Sequence, residues 1–269
     1  MKLCPVMVLL AALLSAVSCA SSSVRAEEYY ALGAAYFELK KYDEAEKWFN
    51  RAKFYQATRN ASEYHLGRIA FEKGGYEKAL VYFERILARD PENVTALRAA
   101  AYACIKTEEL EKAREWYRQV LELVPESYDE GFNYALVLMA LGEAETAEQV
   151  LVKYNNTENP EALLLLARAQ KQQGKPEAAD AYTASLLKND DAAVRAEFAG
   201  YLEEQGLAGR ALEEYQLALQ GAAEDKKADI QGAIDRLEGK EPASVPPESV
   251  PPDGEAGEES GSSLRDPRS

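Results

Sequence analysis

Small residues return along this chain at a fixed interval, and that interval leaves few folds open. Ala45, Ala79, Ala113, Ala147, Ala179 and Ala211 are separated by 34, 34, 34, 32 and 32 residues. Twelve residues earlier, Gly33, Gly67, Ala101, Ala135, Ala167 and Ala199 keep the same intervals. A third ladder, four residues after the first, is mostly bulky: Phe49, Phe83, Tyr117, Leu151, Thr183 and Tyr215. Small and large positions recurring in step describe one packing unit used six times, and a period in the thirties is that of a solenoid.

Each unit holds two apolar-periodic stretches of about a dozen residues, the length of an ordinary helix. A short polar turn divides them, as at Glu72-Lys73-Gly74-Gly75 or Leu141-Gly142-Glu143. A small residue in each stretch lets two antiparallel helices approach closely, and the bulky residue fills the groove beside them. Pro91 and Pro125 stop the second helices of their units, because proline disfavours helical geometry in the residue before it. No run of alternating β-branched residues suggests a strand. After the sixth unit, Ala228, Ile230, Ala233, Ile234 and Leu237 lie on one stripe of a further helix, with Glu224, Lys226, Lys227 and Asp235 on its other face. That pattern predicts a helix capping the array.

The residues at these positions resemble the tetratricopeptide repeat (TPR). The first unit carries Leu32-Gly33, Tyr36, Ala45, Phe49 and Ala52, and the second Leu66-Gly67, Ala70, Ala79, Phe83, Ile86 and Pro91. Units three and four replace the Leu-Gly pair with Ala100-Ala101 and Tyr134-Ala135, and units five and six are weaker. The resemblance implies an all-α, right-handed α-solenoid of about six helix pairs over residues 27–220, with the capping helix in 221–239.

The ends of the chain are different material. Lys2, the apolar run Val6 to Leu14 and the small residues after it predict a signal peptide over 1–18. Ala16-Val17-Ser18-Cys19 resembles a bacterial lipobox, with alanine where leucine is usual. That resemblance makes Cys19 the lipid attachment site (a palmitate-type acyl anchor) and 19–26 a tether. It implies a lipid-anchored, periplasm-facing envelope protein at the outer membrane, with ordinary secretion to the periplasm as the alternative. From Glu241 on lie six of the eleven prolines, seven acids and two arginines, so 240–269 reads as a disordered Pro/Ser/Gly tail. A docking peptide for an aromatic-lined partner is the other reading of the tail. Cys104, at the repeat position of Tyr36 and Leu138, reads as a small buried hydrophobe.

No catalytic constellation is visible. His65 is the only histidine, and neither a serine elbow nor a Gly-rich phosphate loop accompanies it. Metal-ligand spacings are absent as well. The reading is therefore of a protein that is not an enzyme and needs no cofactor or metal. A net charge of −15 repels phosphate and argues against nucleic acid.

In TPR proteins the first helix of each pair lines the concave surface where partners lie. Carried over by register, those positions bring Tyr30, Phe37, Tyr64, His65, Arg68, Phe71, Arg98, Phe132, Asn133 and Met139 to a peptide-binding groove. Arg168 and Lys171 follow in unit five, then an acidic end at Glu197, Glu203 and Glu204. The carboxylate clamp of chaperone-binding TPR domains needs Lys and Asn where this chain has Tyr30 and Ala34, so that activity is not implied. The leading expectation is a protein–protein interaction scaffold, laid out like TPR lipoproteins of outer-membrane assembly or of pilus and secretion complexes. The alternative is a small-ligand-binding accessory of a solute transport system.

Overall fold

The structure is a computed structural model that describes residues 24–154 and 158–240. The expected signal segment, Cys19, residues 20–23 and the tail from Glu241 on lie outside the described residues. Among the described residues there are thirteen helices and no strand. They form pairs: α1 (24–38) with α2 (Tyr42–Ala52), α3 (Arg59–Glu72) with α4 (Tyr76–Leu87), and α5 (Val94–Lys106) with α6 (Leu110–Leu123). Next come α7 (Tyr128–Ala140) with α8 (Ala144–Lys153), α9 (Pro160–Gln172) with α10 (Ala178–Lys188), and α11 (Ala192–Glu204) with α12 (Ala208–Gly221). A single helix, α13 (Glu224–Leu237), closes the series. Residues 24–26, expected in the tether, already belong to α1.

From α2 to α13 every helix packs on the next, and α7 also touches α9. This nearest-neighbour pattern is that of an α-solenoid, whose interior is continuous although no repeat could stand alone. The ladders explain the contacts. A Cβ on Gly33 would sit 2.8 Å from the Phe49 ring, and one on Gly67 would sit 2.5 Å from the Phe83 ring. The small position of each first helix is therefore the floor on which the bulky residue of the second helix lies. Phe49, Phe83, Tyr117, Leu151 and Tyr215 are all buried there, and burial of a ring or Leu of this size contributes about 1.5–3 kcal/mol.

Repeat five departs from the expected register by one residue. Ala178, not Ala179, is fully buried, and Tyr182 fills the bulky position while Thr183 is exposed. The cause is local winding. Ala178, Ala179 and Asp180 donate to the carbonyls three residues back, at Lys175, Pro176 and Glu177. In the other second helices the corresponding alanines (Ala45, Ala79, Ala113, Ala147 and Ala211) bond four back. A 3₁₀-type turn has about 3.0 residues, so the inward position arrives one residue sooner.

One feature unites all six hairpins. Lys40, Gly74, Glu108, Gly142, Gly174 and Gly206 occupy the left-handed region, with φ between 57° and 78°. The next residue in each turn donates its N–H to a carbonyl five back, as Lys41 does to Tyr36 and Gly75 to Ala70. Each first helix thus ends in a Schellman motif, and glycine suits its left-handed position in four of six cases. At the other end, Asn93, Asn159 and Asp191 cap α5, α9 and α11 by accepting from backbone N–H groups of the first turn.

The capping helix buries Ile230, Ala233 and Ile234 against Ala199, Tyr215 and Ala218 of repeat six. Ala228, expected on that stripe, is exposed. Cys104 is fully buried in the repeat-three core, and burial pushes its thiol pKa up to about 11.

Candidate functional site

The first helices carry the candidate groove, because their positions between the ladder residues face away from the second helices. Three of these positions recur in register: Tyr30, Tyr64, Arg98 and Phe132; then Arg68, Tyr102 and Arg168; then Phe37, Phe71, Met139 and Lys171. On α1, α3 and α5 these residues surround a run of clefts. One, of about 370 Å³, is lined by Tyr64, Arg68, Phe71, Phe83, Arg98 and Tyr102, with Glu72, Thr95 and Ala99 between them. A second, also about 370 Å³, has Tyr30, Tyr64, His65, Asn60 and Asn93 in its wall. A third, about 310 Å³, lies between Phe37, Tyr42, Arg68 and Glu72.

Aromatic contacts hold the walls. Phe71 stacks on Tyr102 at 5.1 Å between ring centres and meets Tyr76 edge-on at 4.9 Å. His65 lies flat on Phe49, 4.7 Å away with 3° between planes, and meets Phe37 edge-on at 5.2 Å. Tyr30 Oη is 3.1 Å from His65 Nε2. Burial lowers the His65 pKa to about 4, and the nearby Arg68 charge adds to the effect. The imidazole is therefore neutral at pH 7, a flat part of the wall. Its Nδ1 is buried without a hydrogen-bond partner.

The two arginines of this region stand differently. Arg68 lies over the Phe37 ring, 4.6 Å from its centre, and forms no ion pair among the described residues. Arg98 is engaged: its Nε is 2.6 Å from Oε1 of Glu130, a carboxylate only 7 % exposed. Burial raises the Glu130 pKa, and Arg98 offsets part of that rise. Arg68 is thus a cation in the cleft wall with no carboxylate partner among the described residues.

Repeat four does not extend the clefts. Phe132 and Met139 pack beside the core formed by Ala135, Leu138, Ala147, Leu151 and Leu165. Asn133 is half-buried, and its amide near the Glu130 carboxyl opposes part of the pKa rise from burial. Tyr102 is the wall residue that sequence reading missed, although it occupies the Arg68 position one repeat later.

In repeats five and six the charges are spent on one another. Arg168 binds Glu197 through two bonds of 2.9 and 2.6 Å, and the Tyr182 hydroxyl donates to the same carboxylate at 2.8 Å. Lys171 pairs with Glu204 at 3.1 Å. Glu203 accepts from Tyr215 at 3.3 Å and lies 3.6 Å from Arg236. The expected acidic end is therefore neutralised. Its cationic partners lie 29 to 33 residues away along the chain, one repeat apart. Among the described residues no group of three His, Cys, Asp or Glu side chains could hold a metal ion.

Comparison with known proteins agrees with this architecture. Family profiles of the tetratricopeptide repeat match residues 26–53, 64–128 and 161–191. A curated relative from Treponema pallidum (strain Nichols), described as an uncharacterized lipoprotein, is 30% identical over 114 residues. That match covers 42% of this chain and spans only 58% of the relative's length. Among solved structures, MamA superposes with a TM-score of 0.60 at 20% identity, over 65% of this chain and 96% of that one. YrrB, described as a TPR protein with an unusual peptide-binding site, gives 0.60 at 18% identity, over 71% and 97%. Pseudomonas aeruginosa pilF gives 0.52 at 24% identity, over 66% and 91%. At these identities the structural likeness speaks for the fold alone. Six hairpins in phase, the packing ladders and three matched segments lead to one conclusion: the chain is a tetratricopeptide-repeat protein.

Proposed function

We propose that the chain is a non-enzymatic interaction scaffold that holds an extended segment of a protein partner along the first-helix face of repeats one to three. One observation carries this reading: a connected aromatic wall that contains a cation with no carboxylate partner among the described residues. Aromatic side chains offer contact area at little entropic cost, and a guanidinium can take a carboxylate through two parallel bonds. The occupant that fits bears apolar or aromatic residues beside an Asp, a Glu or a terminal carboxylate. The peptide-binding site named for YrrB supports a groove of this kind on the same fold.

The test is a peptide-display selection against the full chain, followed by titration of the selected peptide. Arg68→Ala and Phe71→Ala should each weaken binding about tenfold or more, a loss of roughly 1.4 kcal/mol, while the fold stays intact. Failure to select any peptide, or binding indifferent to both changes, would contradict the reading. A cleft of about 370 Å³ is also within the size range of small-molecule sites, which keeps the accessory role in a transport system as a second reading. Native mass spectrometry separates the two, because a co-purifying small molecule favours the latter.

We place this scaffold at the bacterial envelope, on the outer membrane and facing the periplasm, with Cys19 as the acylated residue. The N-terminal pattern and the lipoprotein relative support that location. Metabolic labelling with a fatty acid, lost in Cys19→Ser, is the outcome expected. Label retained in that variant contradicts the assignment.

A further inference from the structure

The far end of the first hairpin carries a surface that the groove does not use. Tyr29 on α1 lies 5.8 Å from Trp48 on α2 and 6.2 Å from Tyr55 just beyond it, ring centre to ring centre. Arg51 sits over this group, 4.7 Å from the Trp48 ring and 5.9 Å from Tyr29. Next to it, Phe54 is 76 % exposed, with the Lys53 ammonium 5.7 Å from its ring. Arg59 donates to the Lys53 carbonyl at 3.4 Å. Among the described residues Arg51, Lys53 and Arg59 form no ion pair, although cations elsewhere, from Lys73 to Lys240, are mostly paired with carboxylates. On a chain of net charge −15, three unpaired cations thus gather around half-exposed rings, with Glu27 and Glu28 just before Tyr29 as the acids on α1 at this end.

We infer that this edge of repeat one is a membrane-contacting surface that rests on the headgroups of an anionic bilayer. Tyr and Trp rings with one apolar face and one polar tip settle at the depth of the headgroups, and unpaired Lys and Arg are drawn to anionic lipid. An exposed Phe at the tip of the α2–α3 connection supplies the apolar insertion that water otherwise opposes. The position of the patch selects a bilayer over a protein partner. α1 and α2 are antiparallel, so the start of α1 at residue 24 lies at the same end of the hairpin as the Ala52–Tyr55 turn. The apolar run that ends at Leu14 is ten residues before Val24, a reach of at most about 35 Å when extended. Whether an acyl group or that run enters the lipid, the edge carrying Phe54 is the part of the solenoid delivered to it. No described helix is long and apolar enough to cross a membrane, so the contact is peripheral.

Trp48 makes the inference measurable, because the chain has only two tryptophans. The full chain is incorporated into vesicles of phosphatidylcholine and phosphatidylglycerol with brominated acyl chains, which quench fluorophores at the bilayer. Trp116→Phe leaves Trp48 as the reporter, and Trp48→Phe leaves Trp116, on α6 of repeat three, as the reference. Trp48 emission should fall roughly twofold or more while Trp116 is unaffected. Reversing Arg51 and Lys53 to Glu together with Phe54→Asp should restore Trp48, with helix content by circular dichroism unchanged. Trp48 left unquenched, both tryptophans quenched alike, or quenching indifferent to the triple change would each overturn the inference. The groove variants Arg68→Ala and Phe71→Ala should not alter the quenching, so this surface and the groove stand or fall separately.

Discussion

The first helices of repeats one to three and those of repeats five and six share a backbone plan but meet solvent with different chemistry. In the first set, rings from α1, α3 and α5 wall three clefts, and Arg68 forms no ion pair among the described residues. In the second set, Arg168, Lys171, Glu197, Glu203 and Glu204 occupy related positions, and each is bonded to another residue of the chain. The repeat backbone therefore does not fix the chemistry of this face; the pairing of its side chains does. In repeats five and six the face is closed by internal ion pairs, whereas in repeats one to three it keeps its clefts and Arg68 forms no ion pair among the described residues.

The comparison can be broken most forcefully in the closed half. Glu197→Ala removes the bidentate partner of Arg168 and leaves the hydroxyl of fully buried Tyr182 without an acceptor, so it should cost about 2–3 kcal/mol in urea unfolding. Arg68→Ala, in the open half, forfeits only a partly solvated ring contact and should cost less than about 1 kcal/mol. Equal costs would erase the distinction between spent and unspent charges.

Register in the closed half offers the next test. Ala178→Leu should overpack the α9–α10 crossing and cost about 1–3 kcal/mol, whereas Ala179→Leu, at a half-exposed position, should change stability by no more than about 0.5 kcal/mol. The reverse order would return repeat five to the even spacing of the alanine ladder. Ala113→Leu in repeat three, where no shift occurs, serves as the reference and should also lose about 1–3 kcal/mol.

The open half carries a pH signature of its own. His65 has a folded pKa of about 4 against 6.5 unfolded, so the unfolded chain binds more protons in between. The contribution of the neutral ring is fully present above pH 6.5 and is lost as pH falls through that range toward 4. Allowing for the ring's partial exposure, the loss should be about 1–2 kcal/mol. His65→Phe should flatten the fall in melting temperature between pH 6.5 and about 5.5, above the range where the carboxylates Glu46, Glu148 and Glu197, lowered in the folded chain, begin to contribute. An unchanged slope would remove His65 from the buried wall.

The smallest effect lies in the turns of the open half. Glycine fills the left-handed position in repeats two, four, five and six, but repeats one and three place Lys40 and Glu108 there. Glu108→Gly should stabilise by about 0.5–1 kcal/mol, since relief of the strained φ exceeds the added flexibility of the unfolded chain. A loss of stability on thermal melting would show that Glu108 is not strained.

Much of this was legible in the residues, for a physical reason. A position that admits no side chain must be small in every repeat, so Gly33, Gly67, Ala101, Ala135, Ala167 and Ala199 announce the helix crossings directly. Repeat five was misread because Ala178 and Ala179 are both small, and spacing alone cannot choose between neighbours. Tyr182, four residues after Ala178, was the available cue, and the i→i−3 winding after Pro176 explains it. The first-helix positions that line the clefts, such as Tyr30, Tyr64 and Arg98, were legible as register. The ion pairs were not, because Arg168 and Glu197 become neighbours only when adjacent repeats stack. Arg98 met its buried partner Glu130 in the same way, across the α5–α7 boundary.

Hydrogen–deuterium exchange on the full chain, with and without the display-selected peptide, tests the asymmetry most directly. Added protection should be confined to α1, α3 and α5, with α9 and α11 exchanging as before. Protection centred on α9 and α11, or spread evenly over all first helices, would contradict the account.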